Sequence, residues 1–167
     1  MADVALEVPT EQDMRALGRR LATRLRAGDL VVLGGDLGAG KTTLVQGLGA
    51  GLGVLGEVTS PTFVLARVHR SRVGGPALVH VDAYRLASLA EVDDLDLDAS
   101  LAESVTVVEW GGGKVEGLSE DRLEIELVRP RGAAGGEVRT VRLHAVGPRW
   151  SGEDLASAVE GRPEGSA

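Results

Sequence analysis

The sequence predicts a single α/β domain: a mostly parallel sheet with added antiparallel hairpins and helices on both faces. Three observations carry that reading. The short runs Leu30-Val31-Val32-Leu33 and Val105-Thr106-Val107-Val108 have the near-continuous apolar character of strands covered on both sides. Stretches of helical periodicity alternate with such runs over the first two thirds of the chain, as a parallel sheet with crossover helices requires. The length, 167 residues with 43% hydrophobic and 26% charged, suits one sizeable core and leaves little room for a second.

In chain order, Thr10 is placed as the N-cap of a first helix with an acidic first turn, Glu11 and Asp13. Met14, Leu17, Leu21 and Leu25 recur at helical spacing, and Gly28 supplies a C-terminal stop. The arginines of this segment fall off the apolar stripe and read as solvated surface. The run at 30–33 is a buried strand, and a second helix is expected from Lys41 to about Ala50. Residues 63–69 and 77–82 read as strands joined through Gly74-Gly75-Pro76, an antiparallel hairpin. The acidic stretch holding Glu91, Asp93, Asp94, Asp96, Asp98 and Glu103 contains no Lys or Arg. A helix or two is expected around it, as a solvated face or a docking patch. Residues 123–128 and 140–146 form a late hairpin, and Ser151 caps a short last helix through about Val159. Residues 1–160 are taken as the domain and 161–167 as a frayed tail.

Composition excludes several classes. With no cysteine, disulfide frameworks, thiolate metal sites and a cysteine nucleophile are ruled out. No basic leader or long apolar run is present, so the expectation is a soluble cytoplasmic protein with no membrane contact. The formal net charge of −7 argues against a surface that grips a phosphate backbone directly. Aromatic residues are limited to Phe63, Tyr84, Trp110 and Trp150, so the core must be built from Val, Leu and Ala.

The chemistry is concentrated in Gly35-Asp36-Leu37-Gly38-Ala39-Gly40-Lys41-Thr42, which matches G-x-x-x-x-G-K-[ST] in full. Glycines let the backbone curl so that successive N–H groups point at phosphate oxygens, and the helix that follows presents its positive end. Lys41 reaches the β- and γ-phosphates, and the Thr42 hydroxyl can ligate Mg²⁺. Only two lysines occur, Lys41 and Lys114, and one of them falls at this position. A nucleotidase of this kind also needs an acid at the end of a neighbouring strand, and both Asp82 and Glu109 qualify. His69 and His80 read as packing or surface residues.

Four motifs in order, the phosphate loop through Thr43, Thr59-Ser60-Pro61-Thr62-Phe63, Asp82-Ala83-Tyr84-Arg85-Leu86 and Val108-Glu109-Trp110, resemble the TsaE (YjeE) family. The resemblance covers residues 9–110 and implies a small ATPase of bacterial tRNA threonylcarbamoyladenosine synthesis. It implies ATP and Mg²⁺ as cofactors and TsaB and TsaD as partners, with tRNA met only through the complex. Gly35, Asp36, Gly38, Ala39, Gly40, Lys41, Thr42 and Thr43 would then hold the nucleotide, Thr42 and Glu109 the metal. Lys41, Asp82 and Glu109 would be catalytic, Thr59 to Phe63 a nucleotide-sensing loop, and Thr10 would stand at the base. The chain departs from the family pattern after Trp110, where Gly111-Gly112-Gly113-Lys114 replaces proline and an acid. Two other readings of the residues are a small-molecule P-loop kinase and a nucleotide-switched binding module without essential hydrolysis. The absence of an arginine-rich lid insertion argues against the kinase.

Overall fold

A computed structural model describes residues 2–35, 40–54, 66–82, 102–109, 121–128 and 138–159, without the side chains of residues 2, 66, 67 and 82. Its strands are β1 (Ala2–Val8), β2 (Leu30–Gly35), β3 (Ala66–His69), β4 (Ala77–Asp82), β5 (Ser104–Glu109), β6 (Arg122–Val128) and β7 (Arg139–Val146). Among the described residues the helices are α1 (Glu11–Ala22), α2 (Lys41–Leu52) and α3 (Leu155–Val159), with a 3₁₀ turn over Pro148–Trp150. The strands form one sheet in the order β1-β7-β6-β2-β5-β4-β3. β6, β2, β5 and β4 run parallel, and the antiparallel strands β7, β1 and β3 extend the two sides.

The central strands are where the apolar runs placed them. Leu30, Val31, Val32 and Leu33 are all buried, and so is every residue of β5. β6 and β7 show the alternation of strands with one wetter face, burying Leu123, Ile125, Leu127, Val141, Leu143 and Ala145. Those alternate residues, with Val31, Leu33, Val105, Val107 and Leu78, form a single core with the apolar faces of the helices. Burying each such side chain stabilises the fold by about 1.5–3 kcal/mol. As composition required, Leu and Val dominate this core; Met14, Ile125 and Trp150 are the exceptions of other large types.

α1 begins as expected. The Thr10 hydroxyl accepts from the Asp13 N–H at 3.1 Å, and Met14, Leu17 and Leu21 face inward. The helix stops earlier than Gly28, at Ala22, with Thr23 as C-cap turning its hydroxyl onto the Arg20 carbonyl at 2.6 Å. Gly28 instead has a positive φ of 97° and donates its N–H to the Ser104 carbonyl at 3.0 Å, steering the chain into β2. α2 lies against α1 with backbones nearly touching. A Cβ on Gly47 would stand 2.2 Å from the Arg15 carbonyl oxygen, and one on Gly18 would stand 2.4 Å from that of Leu44.

Two further corrections concern the ends of the chain. β1 was not expected, although Val4, Leu6 and Val8 alternate with exposed Asp3, Ala5 and Glu7. The last helix starts at Leu155, later than Ser151, because the Ser151 hydroxyl donates back to the Pro148 carbonyl at 2.8 Å. Asp154 caps the helix in its place, accepting the Ser157 N–H at 3.1 Å. The β3–β4 and β6–β7 antiparallel pairings agree with the expected hairpins. The acidic stretch at 91–98 and the tail at 161–167 lie outside the described residues. Among the described residues no helix is long and apolar enough to cross a membrane.

Candidate functional site

The carboxyl end of β2 leads into the site. Gly35 takes φ 143°, and a Cβ there would stand 2.5 Å from the Leu127 carbonyl oxygen of β6. Gly40, at φ 102°, is the N-cap of α2, and a Cβ on it would meet Met14 of α1 at 3.3 Å. Both positions hold a positive-φ backbone that favours glycine, and at Gly35 the backbone oxygen of Leu127 also excludes a Cβ. Gly40 contributes no side-chain cap and the first turn of α2 holds no acid. The opening N–H groups and the positive end of the helix dipole are thus available to an anion.

Lys41 opens α2 and is buried, with its Nζ donating to the Gly35 carbonyl at 2.8 Å. The ammonium is therefore folded back across the mouth of the loop, joining its two ends. Thr42 and Thr43 follow on the first turn, both half-buried. Asp36, Leu37, Gly38 and Ala39 lie outside the described residues, as do residues 59–63, Tyr84 and Trp110.

The two candidate acids are brought together by the parallel register. Asp82 pairs with Glu109 across β4 and β5, and Glu109 pairs with Leu33 on β2, two residues before Gly35. Three strand ends therefore converge on the start of α2, the crevice in which open α/β sheets bind ligands. Glu109 is buried, 5% exposed, and its Oε1 lies 3.2 Å from Nε2 of His80, which is fully buried. The separation is that of a hydrogen bond but the direction is not. Oε1 and both imidazole nitrogens lack a hydrogen-bond partner among the described residues. Sequence reasoning read His80 as a packing or surface residue; its position two residues before Asp82, on the same face of β4, was the available signal.

Thr10 sits at the start of α1 and both donates to Asp13 Oδ2 at 2.8 Å and accepts from the Asp13 N–H. Its shown role is that of helix cap. One turn on, Met14 packs at Gly40, so the first turn of α1 lies beside the loop's exit.

The donor set fits a hard cation. A carboxylate and a hydroxyl, Glu109 and Thr42, suit Mg²⁺, which is commonly held by one or two protein oxygens together with substrate phosphates. Among the described residues no group of three or more His, Asp or Glu could hold a metal without such help. Glu109 is buried with Oε1 unsatisfied among the described residues, a costly state that calls for a partner, and its hard carboxylate oxygens are of the type such a cation takes. A cavity of about 670 Å³ lies over β1, β7, β6 and the end of β2, lined by Asp3, Gly34, Gly35, Glu124, Arg142 and His144 among others. Lys41, Thr42 and Glu109 are not among its lining residues.

Comparisons with known proteins identify the family. A family model described as "Threonylcarbamoyl adenosine biosynthesis protein TsaE" matches residues 8–135. The tRNA threonylcarbamoyladenosine biosynthesis protein TsaE of Streptomyces coelicolor is 63% identical over 144 residues, covering 86% of this chain and 97% of that protein. The protein of the same name from Mycobacterium tuberculosis is 52% identical over 129 residues, 73% of this chain and 77% of the relative. Among solved structures, the crystal structure of Bacillus subtilis YdiB superposes with a TM-score of 0.72 at 29% identity, covering 95% of each chain. With its family model matched across the phosphate loop, both acidic strand ends and the first helix, the chain belongs to the TsaE family of threonylcarbamoyl adenosine biosynthesis proteins.

Proposed function

We propose that this chain is a Mg²⁺-dependent ATP-binding and ATP-hydrolysing subunit. With TsaB and TsaD it supports threonylcarbamoylation of the tRNA adenosine next to the anticodon, in the cytoplasm. The observation that carries the reading is the convergence at one crevice of the Lys41 ammonium, the uncapped start of α2 and the buried Glu109.

The reaction is phosphoryl transfer from ATP to water, which needs positioning and charge stabilisation more than covalent chemistry. Loop and helix N–H groups cradle the phosphates, and Lys41 leaves the Gly35 carbonyl to meet the charge developing on the transferred group. Thr42 and Glu109 would hold the metal. When bound, Mg²⁺ neutralises phosphate charge. Asp82, paired in register with Glu109, orients the attacking water. The net charge of −7 supports leaving tRNA contact to the partners.

The test is reconstituted tRNA modification over several turnovers with TsaB, TsaD and either the parent chain or Glu109→Gln. The expected result is that the variant still binds ATP, hydrolyses it at least about 100-fold more slowly, and fails to sustain turnover. Full modification by a variant that binds without hydrolysing would make the chain a nucleotide-operated switch and overturn the hydrolytic part of the proposal.

A further inference from the structure

The pair at the centre of the site raises a question of cost. Glu109 and His80 are buried with side-chain exposures of 7% and 0%, on a sheet face that also buries Leu33, Leu78, Val105 and Val107. A buried charge in such surroundings is strongly destabilising unless paired and hydrogen-bonded. Apolar residues of similar size would pack this interior at no such cost. The polar pair therefore calls for a reason beyond stability.

Geometry supplies one. His80 pairs in register with Val107 and so lies one step behind Glu109, away from the strand end. It is fully buried. Its Nε2 lies 3.2 Å from Oε1, within reach of a hydrogen bond once the ring turns its N–H onto that oxygen. A carboxylate held at one oxygen from behind presents the other in a fixed direction. Buried partners orient ligating side chains in this way at metal sites generally.

We propose that His80 is the positioning residue of this site, donating from Nε2 to Glu109 Oε1 and thereby aiming the carboxylate at the metal–nucleotide. This rests on the nucleotide reading given above. Because His80 acts through Glu109, its loss should weaken metal binding and turnover while leaving the phosphate cradle of Lys41 and α2 in place.

Two substitutions separate this role from packing. His80→Gln keeps an N–H donor near the position of Nε2, whereas His80→Leu fills the space with no donor. Mn²⁺ serves as the probe, its affinity for the protein carrying a non-hydrolysable ATP analogue read by electron paramagnetic resonance. The kcat and KM for ATP are measured alongside, in the presence of TsaB and TsaD. His80→Leu should weaken Mn²⁺ binding and lower kcat by about 10-fold or more, with KM for ATP little changed, and His80→Gln should recover most of both. Unaltered Mn²⁺ affinity and kcat in His80→Leu, or equal impairment in His80→Gln, would overturn the proposal. Should His80→Leu not fold, His80→Asn replaces it, since its shorter amide withdraws the donor from Oε1. It should be impaired where His80→Gln is not, and equal behaviour of the two overturns the role. A parent chain that binds no nucleotide overturns the functional reading and this inference with it. Nucleotide binding by the parent with indifferent His80 variants overturns the inference alone.

Discussion

Gly35 shows how much one residue position can carry. Its backbone is at φ 143°, and the neighbouring strand's Leu127 oxygen occupies the space where a Cβ would project, at 2.5 Å. Its own carbonyl receives the Lys41 ammonium. Gly35→Ala therefore forces either β6 or the loop entry to move. We expect a loss of at least about 1–3 kcal/mol in urea unfolding, together with loss of ATP affinity because Lys41 loses its anchor. Stability unchanged within error would show that the strand ladder relaxes freely there. This residue was legible in the sequence because the phosphate-loop pattern names it. His80 was only half legible, since its spacing from Asp82 gives the shared face but not the neighbouring strand's carboxylate. The register that places it one step from Glu109 supplies that.

At the scale of elements, the legible parts were those with a periodic signal and a boundary marker. β2, β4 and β5 were marked by apolar runs ending in glycine or an acid, and α2 by the loop motif. The failures have physical causes. β1 alternates correctly but is a side strand with Asp3, Ala5 and Glu7 in solvent, so its pattern is short and half polar. α1 ends before Gly28 because Thr23 satisfies the Arg20 carbonyl, while the glycine serves a turn six residues beyond the helix. The α1–α2 contact was invisible for another reason: glycine in a helix reads as a propensity defect of about 1 kcal/mol, yet Gly18 and Gly47 are what allow the two backbones to meet. Gly47→Val should therefore destabilise the protein by about 1–3 kcal/mol or more through overpacking, despite removing a glycine from a helix. Circular dichroism during thermal unfolding checks this, and a variant as stable as the parent would contradict the close approach.

For the whole molecule, Arg149 joins segments far apart in the chain. Arg149 donates to both carboxylate oxygens of buried Asp29, at 2.9 and 3.0 Å, and to the Arg24 carbonyl at 2.7 Å. Its guanidinium lies 4.2 Å from the Trp150 ring centroid. It thus ties the start of β2 and the segment after α1 to the C-terminal turn. Burial disfavours its charged form, but Asp29 and Glu153 outweigh that and raise its pKa. A raised pKa in a cation gives stability that is fully present below the unfolded value and is lost only as pH rises through the folded one. For an arginine that window is strongly alkaline, so this tie does not weaken across the neutral range. The sheet that Arg149 anchors at one end carries the proposed nucleotide site at the other, where β2, β4 and β5 finish. That arrangement turns the functional claim into a single measurable activity: Mg²⁺-dependent phosphate release from ATP, by the chain alone and with TsaB and TsaD. The expected result is slow release alone, faster release with the partners, and loss of both in Lys41→Ala with the fold retained. Undiminished release by folded Lys41→Ala, or none from the parent even with its partners, would contradict the account.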